Sequence, residues 1–169
     1  MVKSNMYDAI DVADYIVYKH LDELISITKL VKLLYFIQAH YLVNEHRPCF
    51  RDAIEAWDFG PVVAEVWREY ARYGSGTIPK TAVKKRFELK RESSKSRGRM
   101  FFSKNSISDE DKEIIDEVVL FFAPYSATSL TDLTMNQAPW VDAYNIGEKI
   151  ISTESLIDYF GTSRTSEAV

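Results

Sequence analysis

Apolar positions recur at helical spacing along most of the chain. Over residues 8–24, Ile10, Ala13, Val17, Leu21 and Leu24 fall on one stripe, with Asp8, Asp11 and Asp14 near the helix's positive end. A second helix is predicted over 28–45, with Ser26 or Thr28 as cap and Arg47-Pro48 as stop. Apolar residues nearly surround it, including Leu33, Leu34, Tyr35 and Phe36, which marks a central, buried helix. The short connection predicts that the two helices form an antiparallel pair.

Residues 49–59 lack a helical stripe and read as extended. Pro61 suits a first helical position, Val63, Trp67, Tyr70 and Tyr73 supply the apolar stripe, and Gly74 suits the end. A later helix starts at a Ser108 cap, carries Ile114, Ile115, Val118, Val119, Phe121 and Phe122, and stops at Pro124. A short helix near 128–135, a Pro139-Trp140 corner, a helix from Thr153 to Phe160 capped by Gly161, and a loose tail over 163–169 complete the pattern. Between these helices, Phe87 and Leu89 alternate with polar residues before "RESSKSRG", and Met100 and Phe102 do so after it. That pattern predicts a projecting β-hairpin over about 82–104, with a disordered loop as the competing reading. The expected fold is mainly α (α+β): one helical domain over 1–162 with a central buried helix and a small basic hairpin.

Composition narrows the functional classes. The 169 residues are 46% hydrophobic and 13% aromatic, a core-rich profile unlike that of a disordered chain. Cys49 is the only cysteine, which excludes an internal disulfide and fits a reducing, cytoplasmic location. No targeting segment and no run of membrane-spanning length is present, so no membrane partner is expected. Net charge is −4, yet residues 80–104 hold ten basic and two acidic side chains; that segment is +8 and the remainder −12. This asymmetry is the main global clue to a partner.

Catalytic chemistry finds little support. The six glycines show no phosphate-loop spacing, and His20, His40 and His46 make no metal-ligand pattern, so neither cofactor nor metal is expected. Cys49 with His46, Glu55 with Asp58, and Glu65 with Glu69 are the candidate catalytic pairs. Turn chemistry, opposite-facing strand positions and a solvated helix face explain each more simply. An enzyme with a pocket beneath Trp57, dependent on Glu55 and Asp58, is the catalytic alternative. The basic segment fits three readings: a docking surface for an acidic protein, a guarded hairpin edge, or a nucleic-acid contact. Whole-chain acidity places nucleic acid third.

The ordered set "KLVKLLYFIQAHYLVNEHRPCFRDAIEAWDFGPVVAEVWREYARYG", "IPK", "SLTDLTMNQAPWVDAY" and "ISTESLIDYF" resembles the Panacea domain, the SocA-like antitoxin domain, over about residues 7–160. The matching positions include Lys32, Tyr35, Phe36, Glu55, Trp57, Gly60, Pro61, Tyr70 and Trp140. Most read as core or backbone punctuation. Thr134-Met135 departs from the Thr-His common in the family, so no role resting on that histidine transfers.

The resemblance implies a phage- or prophage-associated, helical protein that neutralises a toxin encoded by a neighbouring gene. It implies stoichiometric binding without turnover, in some members as an adaptor to a host protease. Some relatives carry an additional DNA-binding domain; this chain begins at the family's helices, so operator binding is not expected. The expected partner surface is Lys84, Lys85, Arg86, Lys90, Arg91, Arg97 and Arg99 of the hairpin, with Arg68 and Arg72 on the 61–73 helix. A nucleic-acid-binding regulator, or a phage counter-defence inhibitor using the same basic hairpin, is the alternative.

Overall fold

The computed structural model describes residues 6–20, 23–83 and 106–163. Its centre is α2 (Ile27–His40), preceded by α1 (Ala9–Lys19). Ser26 caps α2, its Oγ accepting the Lys29 N–H at 3.3 Å. Leu30, Leu33, Leu34, Tyr35 and Ile37 are wholly enclosed, as the unbroken apolar pattern requires. Around α2 pack α1, a short hairpin, α3 (Ala64–Tyr70), α4 (Asp109–Phe122), α5 (Ala127–Met135) and α7 (Thr153–Ser163); α6 (Ala138–Asn145) joins α5 to α7. The mainly helical class is therefore as expected, and among the described residues no helix is long and apolar enough to cross a membrane.

Polar side chains on buried faces tie the helices together. Lys29 donates from Nζ to the Ala123 carbonyl at 2.8 Å, satisfying the C-terminal end of α4. Asp14 of α1 accepts a 2.5 Å bond from the buried Tyr70 hydroxyl of α3. Asp116 of α4 accepts from Tyr15 at 3.0 Å and meets His20 Nε2 at 2.6 Å. Gln38 holds the 49–50 segment by both ends of its amide, donating to Phe50 O and accepting from Cys49 N, each at 2.9 Å.

Several boundaries differ from the sequence reading, each for a local reason. Helix α1 ends at Lys19, and Leu24 takes a left-handed φ of 49° and is exposed, because the chain must turn before the Ser26 cap. Helix α2 widens into a π-turn over Tyr41–Glu45; His46, at φ 53°, ends it by donating its N–H to Tyr41 O, one residue before Arg47-Pro48. Pro61 does not start a helix. It lies in β2 (Gly60–Val62), antiparallel to β1 (Glu55–Trp57), and α3 begins only at Ala64. Val66, absent from the predicted stripe, is fully buried.

The Pro139-Trp140 corner is helical instead, with Pro139 in the first turn of α6, where a missing N–H costs nothing. Helix α7 runs through Gly161 to Ser163 and does not stop at it. Residues 81–83 are helical, where the basic hairpin was expected to begin; its remainder, residues 84–104, lies outside the described residues.

Candidate functional site

The short β1–β2 hairpin is held from three directions. From α2, the Lys32 Nζ donates to the carbonyl oxygens of Phe59 at 2.6 Å and Pro61 at 3.1 Å. From α6, Trp140 donates its indole N–H to Trp57 O at 2.9 Å, and Tyr144 donates its hydroxyl to Asp58 Oδ1 at 3.1 Å. From the approach to α7, Lys149 O accepts the Ala56 N–H at 2.8 Å, and the Lys149 ammonium lies 3.4 Å from Glu55. Trp57 donates in turn to Glu55 Oε2 at 2.7 Å and meets Trp67 edge-on, with ring centroids 5.8 Å apart. A three-residue strand pair is marginal alone; these clamps fix it.

Gly60 is indispensable to this packing. Its φ is 95°, and a Cβ there would stand 2.9 Å from Lys32 Nζ and 3.0 Å from Thr134 Oγ1. Lys32 is 1% exposed, and burial holds its ammonium down to about 8. Both its acceptors are neutral carbonyls, and no carboxylate among the described residues pairs with it.

Beside the clamp opens a groove of about 770 Å³. One wall is the start of α2, with Ser26 and Thr28 and Lys32 behind them; a second is the start of α5, with Thr128 and Thr131. Trp57, Phe59 and Trp67 supply the aromatic surface. Phe59, at the hairpin tip, is 76% exposed although its carbonyl is fixed by Lys32. Volumes of this order suit a small ligand or a short inserted segment.

The motif residues thus divide by role. Lys32, Glu55, Trp57, Gly60, Pro61 and Trp140 converge on the hairpin. Trp140 is buried as expected, whereas Trp57 is half-buried and forms a groove wall. Tyr35 and Phe36 face elsewhere, in an aromatic cluster with Phe160; Phe36 stacks on Phe122 at 4.1 Å between ring centroids. Tyr70 holds α1 through Asp14.

Arg68 on α3 and Arg72 in the 3-10 turn Ala71–Tyr73 that follows it are exposed, within 2.5 Å of Glu65 and 3.0 Å of Glu69 respectively. Lys84, Lys85, Arg86, Lys90, Arg91, Arg97 and Arg99 lie outside the described residues.

The candidate catalytic pairs acquire structural partners. Glu55 binds Trp57, Asp58 binds Tyr144, and Glu65 and Glu69 pair with Arg68 and Arg72. Cys49 is fully buried and desolvation pushes its thiol up, the reverse of an activated nucleophile. Among the described residues no group of three or more His, Cys, Asp and Glu side chains is arranged to hold a metal ion.

Lys32, the β1–β2 hairpin, Trp67, Thr128 and Trp140 all lie within one matched region: residues 30–141 match the family described as Antitoxin SocA-like, Panacea domain. The chain belongs to that family. Its signature residues are now explicable as a lysine, a Gly-Pro hairpin and a tryptophan that lock three elements together. Antitoxin SocA of Caulobacter vibrioides is 43% identical over 65 residues, 38% of this chain. The match spans about a third of that relative's length, 35%. No solved structure matches this Panacea-family chain.

Proposed function

We propose that this protein is an antitoxin that neutralises a cognate toxin by direct stoichiometric binding, in the cytoplasm and without turnover. The observation that carries this reading is the family match over residues 30–141, reinforced by the likeness to Antitoxin SocA. The described carboxylates in the hairpin and on α3 are engaged in structural bonds, which favours a binding role over a catalytic one.

The toxin is proposed to be the product of the neighbouring gene. Expressed alone, that product should arrest growth, and co-expression of this chain should restore it with the two proteins co-purifying at equal stoichiometry. Growth arrest that this chain does not relieve would refute the reading. The basic surface is part of the same proposal: Lys90→Glu with Arg91→Glu should weaken neutralisation at unchanged thermal stability, because surface charge governs encounter more than folding.

A further inference from the structure

The groove beside the Lys32 clamp brings together a buried cation, the start of a helix and aromatic rings. Lys32 is an enclosed cation with no anionic partner among the described residues. The first turn of α5 opens onto the same space at Thr128, adding the positive end of a helix dipole. Among the described residues the charged side chains lining the groove are Lys32 and Asp58, and Asp58 already accepts from Tyr144. Trp57 and Trp67 form a ring-lined wall, and Phe59 stands exposed at the rim on a fixed backbone. Pre-positioned exposed aromatics beside a pocket are typical anchors of protein interfaces.

We infer that this groove receives an acidic–aromatic segment of the toxin, with a ring against Trp57 and Trp67 and a carboxylate toward Lys32 and the α5 N-terminus. This rests on the antitoxin reading and names the chemistry that reading would use. A carboxylate fits better than a phosphate, because the lining offers one lysine and also carries the Asp58 carboxylate, which repels a dianion more strongly than a monoanion. A protein segment fits better than a free acid, because the exposed Phe59 extends the aromatic surface beyond the pocket.

The test has two arms on the full chain. In the first, tryptophan fluorescence follows titration with the peptide acetyl-Gly-Phe-Glu-Phe-Gly-amide, its Gln counterpart, and 3-phenylpropionate. The Glu peptide should bind about ten-fold more tightly than either other probe. Phe59→Ser and Thr128→Glu should each weaken it by a similar factor without lowering the melting temperature. Thr128→Glu is chosen because a carboxylate in a first helical turn is favourable to the helix yet repels an incoming anion.

Equal binding of the Glu and Gln peptides overturns the carboxylate assignment. Equal binding of 3-phenylpropionate overturns the protein-segment assignment, and no binding by any probe overturns the site. In the second arm, both variants are co-expressed with the neighbouring gene product and should lose neutralisation. If that product is harmless while the Glu peptide still binds, the toxin reading has failed and the groove has not. If the toxin is neutralised undiminished by both variants, the groove is wrong and the toxin reading stands.

Discussion

Lys32 and Gly60 fill each other's space: a Cβ on residue 60 would stand 2.9 Å from the lysine ammonium. Two residues that the sequence separates by a helix and a loop are therefore one structural unit. Gly60→Ala should destabilise the protein by on the order of 3 kcal/mol, from positive-φ strain and the close contact together. Urea unfolding measures it, and a loss within experimental error would contradict the clamp.

Lys32 also gives stability a distinctive pH dependence. The ammonium titrates near 8 in the folded protein against 10.5 for an ordinary lysine, because burial penalises the charge. Between those values the unfolded chain binds more protons, so this group makes stability rise with pH. The neutral amine keeps two N–H donors for its two carbonyls. Desolvation and hydrogen bonding raise the Tyr7 and Tyr15 hydroxyls above their usual 10.0, which costs stability beyond that point. The expected window is thus about pH 8 to 10. Lys32→Met should lose on the order of 1–3 kcal/mol by stranding the carbonyls, and should lack the rise.

Asp111 should dominate the acid side. It is 3% exposed and accepts from the hydroxyls of Tyr7 and Tyr41 and from Arg47, the last two at 3.0 and 2.5 Å. Burial pushes its carboxyl up, but the bonds from Tyr7, Arg47 and Tyr41 and the Arg47 charge outweigh it, holding the group below the ordinary aspartate value. Such a depressed group stabilises above its unfolded pKa, and that stability is lost as pH falls through the folded one. Asp111→Asn should cost on the order of 3 kcal/mol at neutral pH and flatten the acid limb of the stability profile.

Cys49 provides a simple check on the core. Its burial and raised thiol predict no reaction with Ellman's reagent in the native protein and release of one equivalent in guanidinium. Rapid native labelling would contradict the placement of the 49–50 segment against Gln38.

Exposed charge reversals should behave differently. Arg68→Glu breaks an exposed i,i+3 pair, and Arg72→Glu breaks another together with a contact over the Tyr73 ring at 5.3 Å, so thermal stability should shift by no more than about 1 kcal/mol in each case. If these arginines meet the toxin, neutralisation falls although the fold is intact.

Much of the fold was legible in the chain because helices are local. Apolar spacing and serine caps located α2 and α4, with observed cap bonds at Ser26 and Ser108. The same local logic failed at Pro61, Pro139 and Gly161. A proline suits both a strand and a first helical turn, and a glycine near a helix end need not end it. Which applies depends on neighbours distant in sequence.

The sequence by itself determined the mainly helical class, the buried central helix and the family, since periodicity and an ordered motif are properties of the chain. Only the tertiary structure decided what the motif does. Lys32 reads as one polar break in an apolar helix, and nothing local says that its ammonium will bond two carbonyls 27 and 29 positions onward. A hydrogen bond between distant residues exists only once packing has brought their elements together. Folding likewise turned the half-buried Trp57 and Trp67 into one wall of a groove beside a buried cation held by two backbone carbonyls.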